Sequence, residues 1–232
     1  MYKDENSRKY EDYAPKEEWE PRTELGKRVK AHEVVSIEQI FHEGKRIEEK
    51  GIVRELLPDL ESELIEIKNV QRMTKNNRKA KFRAVVVVGD RKGHVGLGIG
   101  KSLEVKDAIE SATDDAKMHI IPVVFGCGSW QCTCGTNHSI PFTVKGKCSS
   151  VEVTLKPGPR GLGIVASKNL KKMLELAGIK DLWTFSKGRT RTKYNTLLAA
   201  YRALESIILI KNSKSLEKNV KMADISSIPA NA

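Results

Sequence analysis

A strand in which glycine occupies every second position constrains the fold of this chain more than any other feature. Gly96, Gly98 and Gly100 alternate with apolar residues, which predicts a strand with one apolar face and one face without side chains. An apolar strand over residues 82–88 and a turn at residues 89–93 complete a hairpin. A bare strand face lets another backbone come very close. Because lysine and arginine flank the hairpin, we expect a phosphate backbone there. Packing of a helix on the glycines is the structural alternative, and the two are compatible.

A dinucleotide-binding loop is a poor match to these glycines. Their period of two lies within a strand, whereas the dinucleotide fingerprint G-x-G-x-x-G lies at a turn from strand to helix. No acidic residue follows in a third strand to hold a ribose. His94 and His119 have no nucleophile or paired carboxylate in the local sequence. The sequence therefore predicts neither an enzyme nor a small-molecule substrate.

The charge distribution favours a nucleic acid as partner. The chain has 232 residues and a net charge of +11. Residues 68–106 carry 11 Lys/Arg against 2 Asp/Glu, and residues 145–193 carry 12 against 3, whereas residues 33–66 carry 4 against 10. Two basic patches on folded segments are typical of proteins whose affinity for nucleic acid comes from phosphate neutralisation. A solvated basic surface is the alternative.

The candidate RNA-binding residues lie in the glycine hairpin, in the basic turn before it, in a Lys-Pro-Gly-Pro-Arg-Gly-Leu-Gly loop and in the basic segment before the last helix. The N-terminal amides of that helix add an anion site. In chain order, the candidates are Arg72, Lys75, Arg78, Lys79, Lys81, Arg83, Arg91, Lys92, Gly96, Gly98, Gly100, Lys101, Lys106, Lys156, Arg160, Lys187, Arg189, Arg191 and Lys193.

Four cysteines lie within residues 127–148 and predict a metal site in preference to disulfides. Cys127, Cys132, Cys134 and His138 have the spacing C-x₄-C-x-C-x₃-H, and three thiolates with one imidazole suit one tetrahedral structural zinc ion. Trp130 is expected to cover the metal. Ordinary reduced thiols at a domain junction are the alternative. Cys148 is expected to be a core thiol, or a substitute ligand if His138 points away.

The element pattern divides the chain into five segments. We expect a charged N-terminal arm, residues 1–32, without stable structure until bound. An RNA-binding domain over residues 33–125, a Cys/Gly-rich insert over 126–139, a C-terminal α/β domain over 140–212 and a tail over 213–232 follow. No apolar run reaches 18 residues and the N-terminus lacks a signal-peptide core, so no membrane span or membrane partner is expected.

Three stretches of the sequence resemble a known family. The run from Phe82 to Lys101 is similar to the signature of the fifth ribosomal protein family of the small subunit, in bacterial naming. The runs from Leu155 to Ala166 and from Leu174 to Trp183 resemble the second half of that family. Coverage is roughly residues 33–210. The long N-terminal segment, the cysteine insert and residues 190–193 resemble the archaeal branch.

This resemblance implies an α+β protein. Its N-terminal domain would be like a double-stranded-RNA-binding domain, with a three-stranded sheet and two helices, and its C-terminal domain would be a two-layer α/β ribosomal domain. It also implies a structural role in the cytoplasmic ribosome, contact with small-subunit rRNA and a position beside the channel through which messenger RNA enters. The same resemblance implies an effect on decoding accuracy and contact with the neighbouring ribosomal proteins four and eight. A free-standing double-stranded-RNA chaperone or regulator is the alternative.

Overall fold

The N-terminal half contains the expected glycine hairpin and antiparallel sheet, with additions at both ends. The computed structural model describes residues 19–132 and 134–209. The elements of this half are α1 (Glu24–Lys30), α2 (Ile37–His42), α3 (Lys50–Leu56), β1 (Glu61–Met73), β2 (Arg78–Gly89), β3 (His94–Ser102), α4 (Val105–Met118) and β4 (Ile120–Pro122). Strands β1 to β4 form an antiparallel sheet in chain order. The expected three-stranded sheet therefore has a short fourth strand.

Part of the predicted arm is folded onto the N-terminal half. The carboxylate of Glu49 accepts hydrogen bonds from Nε1 of Trp19 and from the backbone N–H of Arg22, both at 2.9 Å. Leu25 and Val29 of α1 are buried in the core beneath α4. The expectation of an unstructured arm is thus wrong for residues 19–30. Residues 1–18 and the predicted tail, residues 213–232, lie outside the described residues.

The C-terminal half forms a second sheet with two helices on one face. Its elements are β5 (Val144–Cys148), β6 (Val151–Pro157), β7 (Ile164–Val165), α5 (Lys168–Leu176), β8 (Leu182–Lys187) and α6 (Lys193–Leu209). The strand order is β5-β6-β8-β7, and only the short β7–β8 pair is parallel among the described strands. Alternation along β5 and β6 buries one face against the helices and exposes the other.

The two halves share one apolar core. Val85 and Val87 of β2 belong to the same buried cluster as Leu174 of α5 and the inner face of the second sheet. Val86 and Val88 point the other way, into the core under α4. Because β2 is buried on both faces, its sequence is a continuous valine run without alternation. No helix among the described residues is long and apolar enough to span a membrane.

Candidate nucleic-acid interface and metal centre

The glycine face of β3 is covered by helix α4. A Cβ atom on Gly96, Gly98 or Gly100 would lie 2.2–2.3 Å from a backbone carbonyl oxygen of Ala116, Ala112 or Ala108, respectively. All three glycines are buried. The prediction that they meet a phosphate backbone is therefore wrong, because a helix backbone already occupies that face. The close approach that the glycines permit serves helix packing, which was the structural alternative.

The opposite face of the sheet carries a row of cations. Lys68, Arg83 and Lys101 are cross-strand partners on β1, β2 and β3, so their side chains share one face. The same alternation places more cations on this face where β1 and β2 extend beyond the sheet. We call this surface the ribbon face; its members are Lys68, Arg72, Lys79, Lys81, Arg83 and Lys101.

The tip of the β1–β2 ribbon is a short, highly charged turn. Strand β1 ends at Met73 and β2 begins at Arg78, so several of the cations predicted to lie in a turn are on strands. The backbone N–H of Thr74 donates to the carbonyl of Asn77 at 3.0 Å, which closes the turn. Lys75 and Arg78 are exposed at this tip.

Glu66 joins the ribbon face to the start of α6. Its Oε2 lies 3.1 Å from Nζ of Lys68, in an ion pair that is not aligned as a hydrogen bond. Its Oε1 lies 3.3 Å from Nζ of Lys193. Burial opposes ionisation of Glu66, but the two lysines outweigh it and lower its pKa. Because Lys193 begins α6, the ribbon face and the start of α6 meet on one side of the protein.

The C-terminal candidates occupy three places. Arg189 and Arg191 are exposed in the loop between β8 and α6, next to Lys193. Arg160 is exposed in the loop after β6, where Gly161 and Gly163 have φ values of +87° and +74°. Lys156 and Lys187 instead lie on the exposed face of the second sheet, as cross-strand neighbours of Trp183 and Glu152.

Three N-terminal candidates are not brought to the ribbon face. Arg91 and Lys92 lie in the β2–β3 turn, at the opposite end of β2 from the ribbon tip. They pair with Glu61 at 2.6 Å and Asp59 at 2.7 Å, which neutralises them. Lys106 is exposed in the first turn of α4, and α4 packs on the other face of the sheet. The structure separates these residues from the main cationic surface.

The β2–β3 turn contains an Asp–His pair that the sequence pattern did not predict. The buried carboxylate of Asp90 accepts hydrogen bonds from the backbone N–H groups of Lys92, Gly93 and His94, at 2.8–3.0 Å. Its other oxygen lies 2.6 Å from Nδ1 of His94. Burial opposes ionisation, but the His94 contact and the backbone donors lower the pKa of Asp90 to about 2. The i,i+4 spacing was the visible signal, and the pair fixes a turn.

The four predicted metal ligands converge at the insert. One ligand atom from each of Cys127, Cys132, Cys134 and His138 lies within 4.8 Å of all the others. The Cys132–Cys134 and Cys127–Cys134 sulfur separations are 3.0 and 3.6 Å, and Cys132 Sγ lies 3.7 Å from Nε2 of His138. Zinc–sulfur bonds of about 2.3 Å in a tetrahedron place sulfurs about 3.8 Å apart. The donor set and its spacing therefore fit a tetrahedral ion after small adjustments.

The imidazole of His138 is held with Nε2 toward the thiols. Its Nδ1 lies 2.8 Å from Oδ2 of Asp181, although no well-aligned hydrogen bond reaches this buried atom. The carbonyl oxygen of His138 accepts from the backbone N–H groups of Lys180 and Asp181 at 3.1 Å. A carboxylate behind a histidine ligand is the usual support of a zinc site, because it fixes the ring and its tautomer.

The thiols differ in their acidity. Hydrogen bonds from Cys132 and Thr136 lower the pKa of Cys134 to about 6, whereas burial, followed by the neighbouring thiols, raises the pKa of Cys127 to about 12. Cys148 is a buried free thiol in β5, as predicted. Trp130, predicted to cover the metal, is 88% exposed, so that prediction is wrong.

Comparison with known proteins matches both halves of the chain to one family. Residues 60–124 match the N-terminal domain of ribosomal protein S5, and residues 146–216 match its C-terminal domain. A small ribosomal subunit protein uS5 from Methanoregula boonei is 50% identical over 200 residues, covering 86% of this chain and 98% of the relative. The Aeropyrum pernix uS5 is 54% identical over 190 residues, covering 82% and 87%. The Methanothermobacter thermautotrophicus uS5 is 48% identical over 204 residues, covering 88% and 94%.

Proposed function

The chain belongs to the ribosomal protein S5 family, and from this premise we propose that it binds small-subunit rRNA through the ribbon face and the adjoining start of α6. The family is one of structural ribosomal proteins, not of enzymes. Its relatives are named as proteins of the small ribosomal subunit, so the expected location of this chain is the cytoplasmic ribosome. The observation that carries the proposal is that Glu66 joins the cations of the ribbon face to those at the start of α6.

The charge on this surface is largely unneutralised. Among the described residues, only Glu66 forms ion pairs with cations of the ribbon face or of the start of α6. The remaining cations of the ribbon face stand on the paired strands β1, β2 and β3, and strand pairing spaces them regularly. Flexible lysine and arginine side chains on such a frame suit phosphates of an A-form duplex, which proteins recognise mainly by shape.

Binding should therefore be strongly salt-dependent and weakly sequence-dependent. Replacing Lys79, Lys81 and Arg83 by glutamine removes three cations from the ribbon face. We expect the slope of log affinity against log salt to fall by about 0.9 for each duplex phosphate that the variant no longer neutralises. Fluorescence anisotropy with several RNA duplexes measures this, with Arg91→Gln and Lys92→Gln as the matched control. A change of sequence preference at constant salt would contradict the proposal.

Assembly into the small subunit distinguishes this function from a free-standing chaperone or regulator. A tagged chain should co-sediment with the small subunit in high magnesium. The variant with glutamine at positions 79, 81 and 83 should shift toward the light fractions. The control variant with Arg91→Gln and Lys92→Gln should stay with the subunit. A wild-type chain that remains in the light fractions would favour the chaperone or regulator. Crosslinking in the assembled subunit then tests the expected neighbours, ribosomal proteins four and eight.

The ribbon tip is the segment that we propose to face messenger RNA where it enters. Lys75, Arg78 and Lys79 are exposed there, and the turn gives them no acidic partner among the described residues. Arg78→Gln with Lys79→Gln should raise miscoding or slow the unwinding of structured messages in assembled subunits. Dual-reporter translation measures both. Normal accuracy and normal unwinding in assembled variant subunits would count against this proposal. A loss of assembly without any effect on accuracy or unwinding would instead give the tip a purely assembly-related role.

We further propose that the insert holds one structural zinc ion. Three thiolates and one imidazole close a four-ligand site, which leaves no position for a reacting water. The ion would supply stability that the insert lacks, since the insert contributes few residues to the core. Metal analysis should give about one zinc per chain. Cys132→Ser should lower that content, and Cys148→Ser, in the core, should not. Zinc-free protein with an ordered insert and four titratable thiols would refute the site.

A further inference from the structure

The second sheet has one face that no described element covers. The side chains that point outward from β5, β6, β7 and β8 are on the side opposite α5 and α6. We call this surface the outer face; its members are Lys145, Lys147, Glu152, Thr154, Lys156, Val165, Trp183, Phe185 and Lys187. An open sheet face is ordinary when it is polar, but this one carries aromatic rings at its centre.

The aromatic rings are exposed and lie next to each other. Phe185 is 54% exposed and Trp183 is partly exposed, two residues apart on β8 and therefore on the same face. Val165, beside Trp183 on β7, is 50% exposed. Exposed apolar side chains that lie together on one face of a sheet mark a contact surface.

Lysines surround the rings. Lys145 lies in the row that contains Thr154 and Phe185. Lys156 lies in the neighbouring row, opposite Trp183, and its Nζ is 4.7 Å from the centroid of the Phe185 ring. Lys147 and Lys187 flank Glu152 in the row on the other side of Phe185, where Glu152 pairs with Lys147 at 3.7 Å. The face thus has four cations and one anion around a flat aromatic patch.

We propose that the outer face binds a single-stranded segment of RNA, with unpaired bases stacked on Phe185 and Trp183 and phosphates on the surrounding lysines. Sheets with exposed aromatic rings take single-stranded RNA in this way, because every base has a π-face and the cations follow the backbone. A protein partner would suit the apolar patch but leaves the excess of lysine unexplained. The proposal rests on RNA binding by the chain, but it uses a different surface and a different form of RNA from the ribbon face.

The test compares two oligonucleotides on the full-length protein. The probes are a single-stranded oligoadenylate and an abasic strand of the same length and charge, measured by anisotropy at one salt concentration. Phe185→Leu keeps an apolar side chain and removes the ring. It should weaken oligoadenylate binding about fivefold or more and leave abasic binding unchanged. Trp130→Leu is the matched control, since Trp130 is exposed outside this face.

The outcomes separate this inference from the proposed function. Equal loss of both probes in the Phe185→Leu protein, or no loss of either, would overturn stacking on the outer face. Wild-type protein that binds duplex RNA but not oligoadenylate would also overturn it, while leaving the ribbon face intact. Protein that binds neither form of RNA would refute both. An unchanged melting temperature is required of Phe185→Leu, and Phe185→Tyr should restore binding of oligoadenylate because it returns a ring.

Discussion

Replacing Gly98 by alanine tests what the glycine strand is for. A Cβ atom at this position would lie 2.2 Å from the carbonyl oxygen of Ala112 and 2.2 Å from the backbone nitrogen of Ala116. Both atoms belong to the α4 backbone, so no side chain can rotate away. Contact at ordinary van der Waals distance requires α4 to move outward by about 1 Å or more.

The cost follows from how α4 is anchored. Ala108, Ala112 and Ala116 are fully buried against the strand, and the carboxylate of Asp115 accepts a hydrogen bond from the N–H of Ile99 at 2.8 Å. Moving the helix loosens this packing and the hydrogen bond together. Overpacking typically costs about 1–3 kcal/mol, and we expect about 3 kcal/mol here because the clash is with backbone. For a chain of this size, that lowers the melting temperature by about 6–12 °C.

The assay compares Gly98→Ala with Lys101→Ala, a substitution on the same strand. Thermal unfolding followed by circular dichroism should show a large decrease in stability for Gly98→Ala and almost none for Lys101→Ala, because Lys101 is exposed. Anisotropy with duplex RNA, below both melting temperatures, should show weakened binding for Lys101→Ala and almost unchanged binding for Gly98→Ala. A Gly98→Ala protein of normal stability with weakened RNA binding would refute the helix-packing explanation and restore the phosphate contact.

Three further substitutions test single interactions. Asp181→Asn should weaken zinc binding about 10- to 100-fold in a chelator competition, whereas Asp59→Asn on the surface should not change it. The pKa of Asp90 is lowered from 3.8 to about 2, so the stability that its ionised carboxylate contributes to the folded protein is complete above about pH 4 and is lost toward pH 2. Asp90→Asn should therefore be less stable at neutral pH and lose less on acidification, measured by urea unfolding; parallel acid curves would contradict this. Glu66→Gln releases two lysines and should steepen the salt dependence of RNA binding; an unchanged slope would show that these lysines do not reach RNA.

Local patterns predicted most of the elements, because the apolar residues on each strand and helix repeat with a clear period. The valine run of β2 became the expected strand, and β5, β6 and α5 likewise repeat their buried residues with the period of a strand or a helix. The metal ligands were predictable because they lie within twelve residues of one another. The folded segment before α2 was not predicted because its interactions, chiefly Trp19 with Glu49, join residues that are 30 positions apart.

The glycine face shows how a correct local inference can lead to a wrong partner. The sequence established that the face is bare, but not what covers it. The deciding signal was present in α4, where Ala108, Ala112 and Ala116 repeat every four residues. Small side chains at that spacing are what a helix needs to bring its own backbone against glycine. The cations beside the glycines belong to the opposite face, which alternation along β2 would have indicated.

The connection between the insert and the loop that carries Arg160 is the part that no local pattern contains. Asp181 contacts His138 through Oδ2 and accepts a hydrogen bond from the N–H of Gly163 through Oδ1 at 2.8 Å. Oγ of Ser139, next to His138, accepts from the N–H of Gly158 at 3.2 Å. Both glycines belong to the loop of Arg160. A metal on His138 would therefore hold that loop as well as the insert. If it does, chelation should weaken the RNA contacts of Arg160 and spare those of the ribbon face. Footprinting of the RNA with and without chelator measures this difference, and the variants Arg160→Gln and Lys81→Gln identify which protected nucleotides belong to each surface.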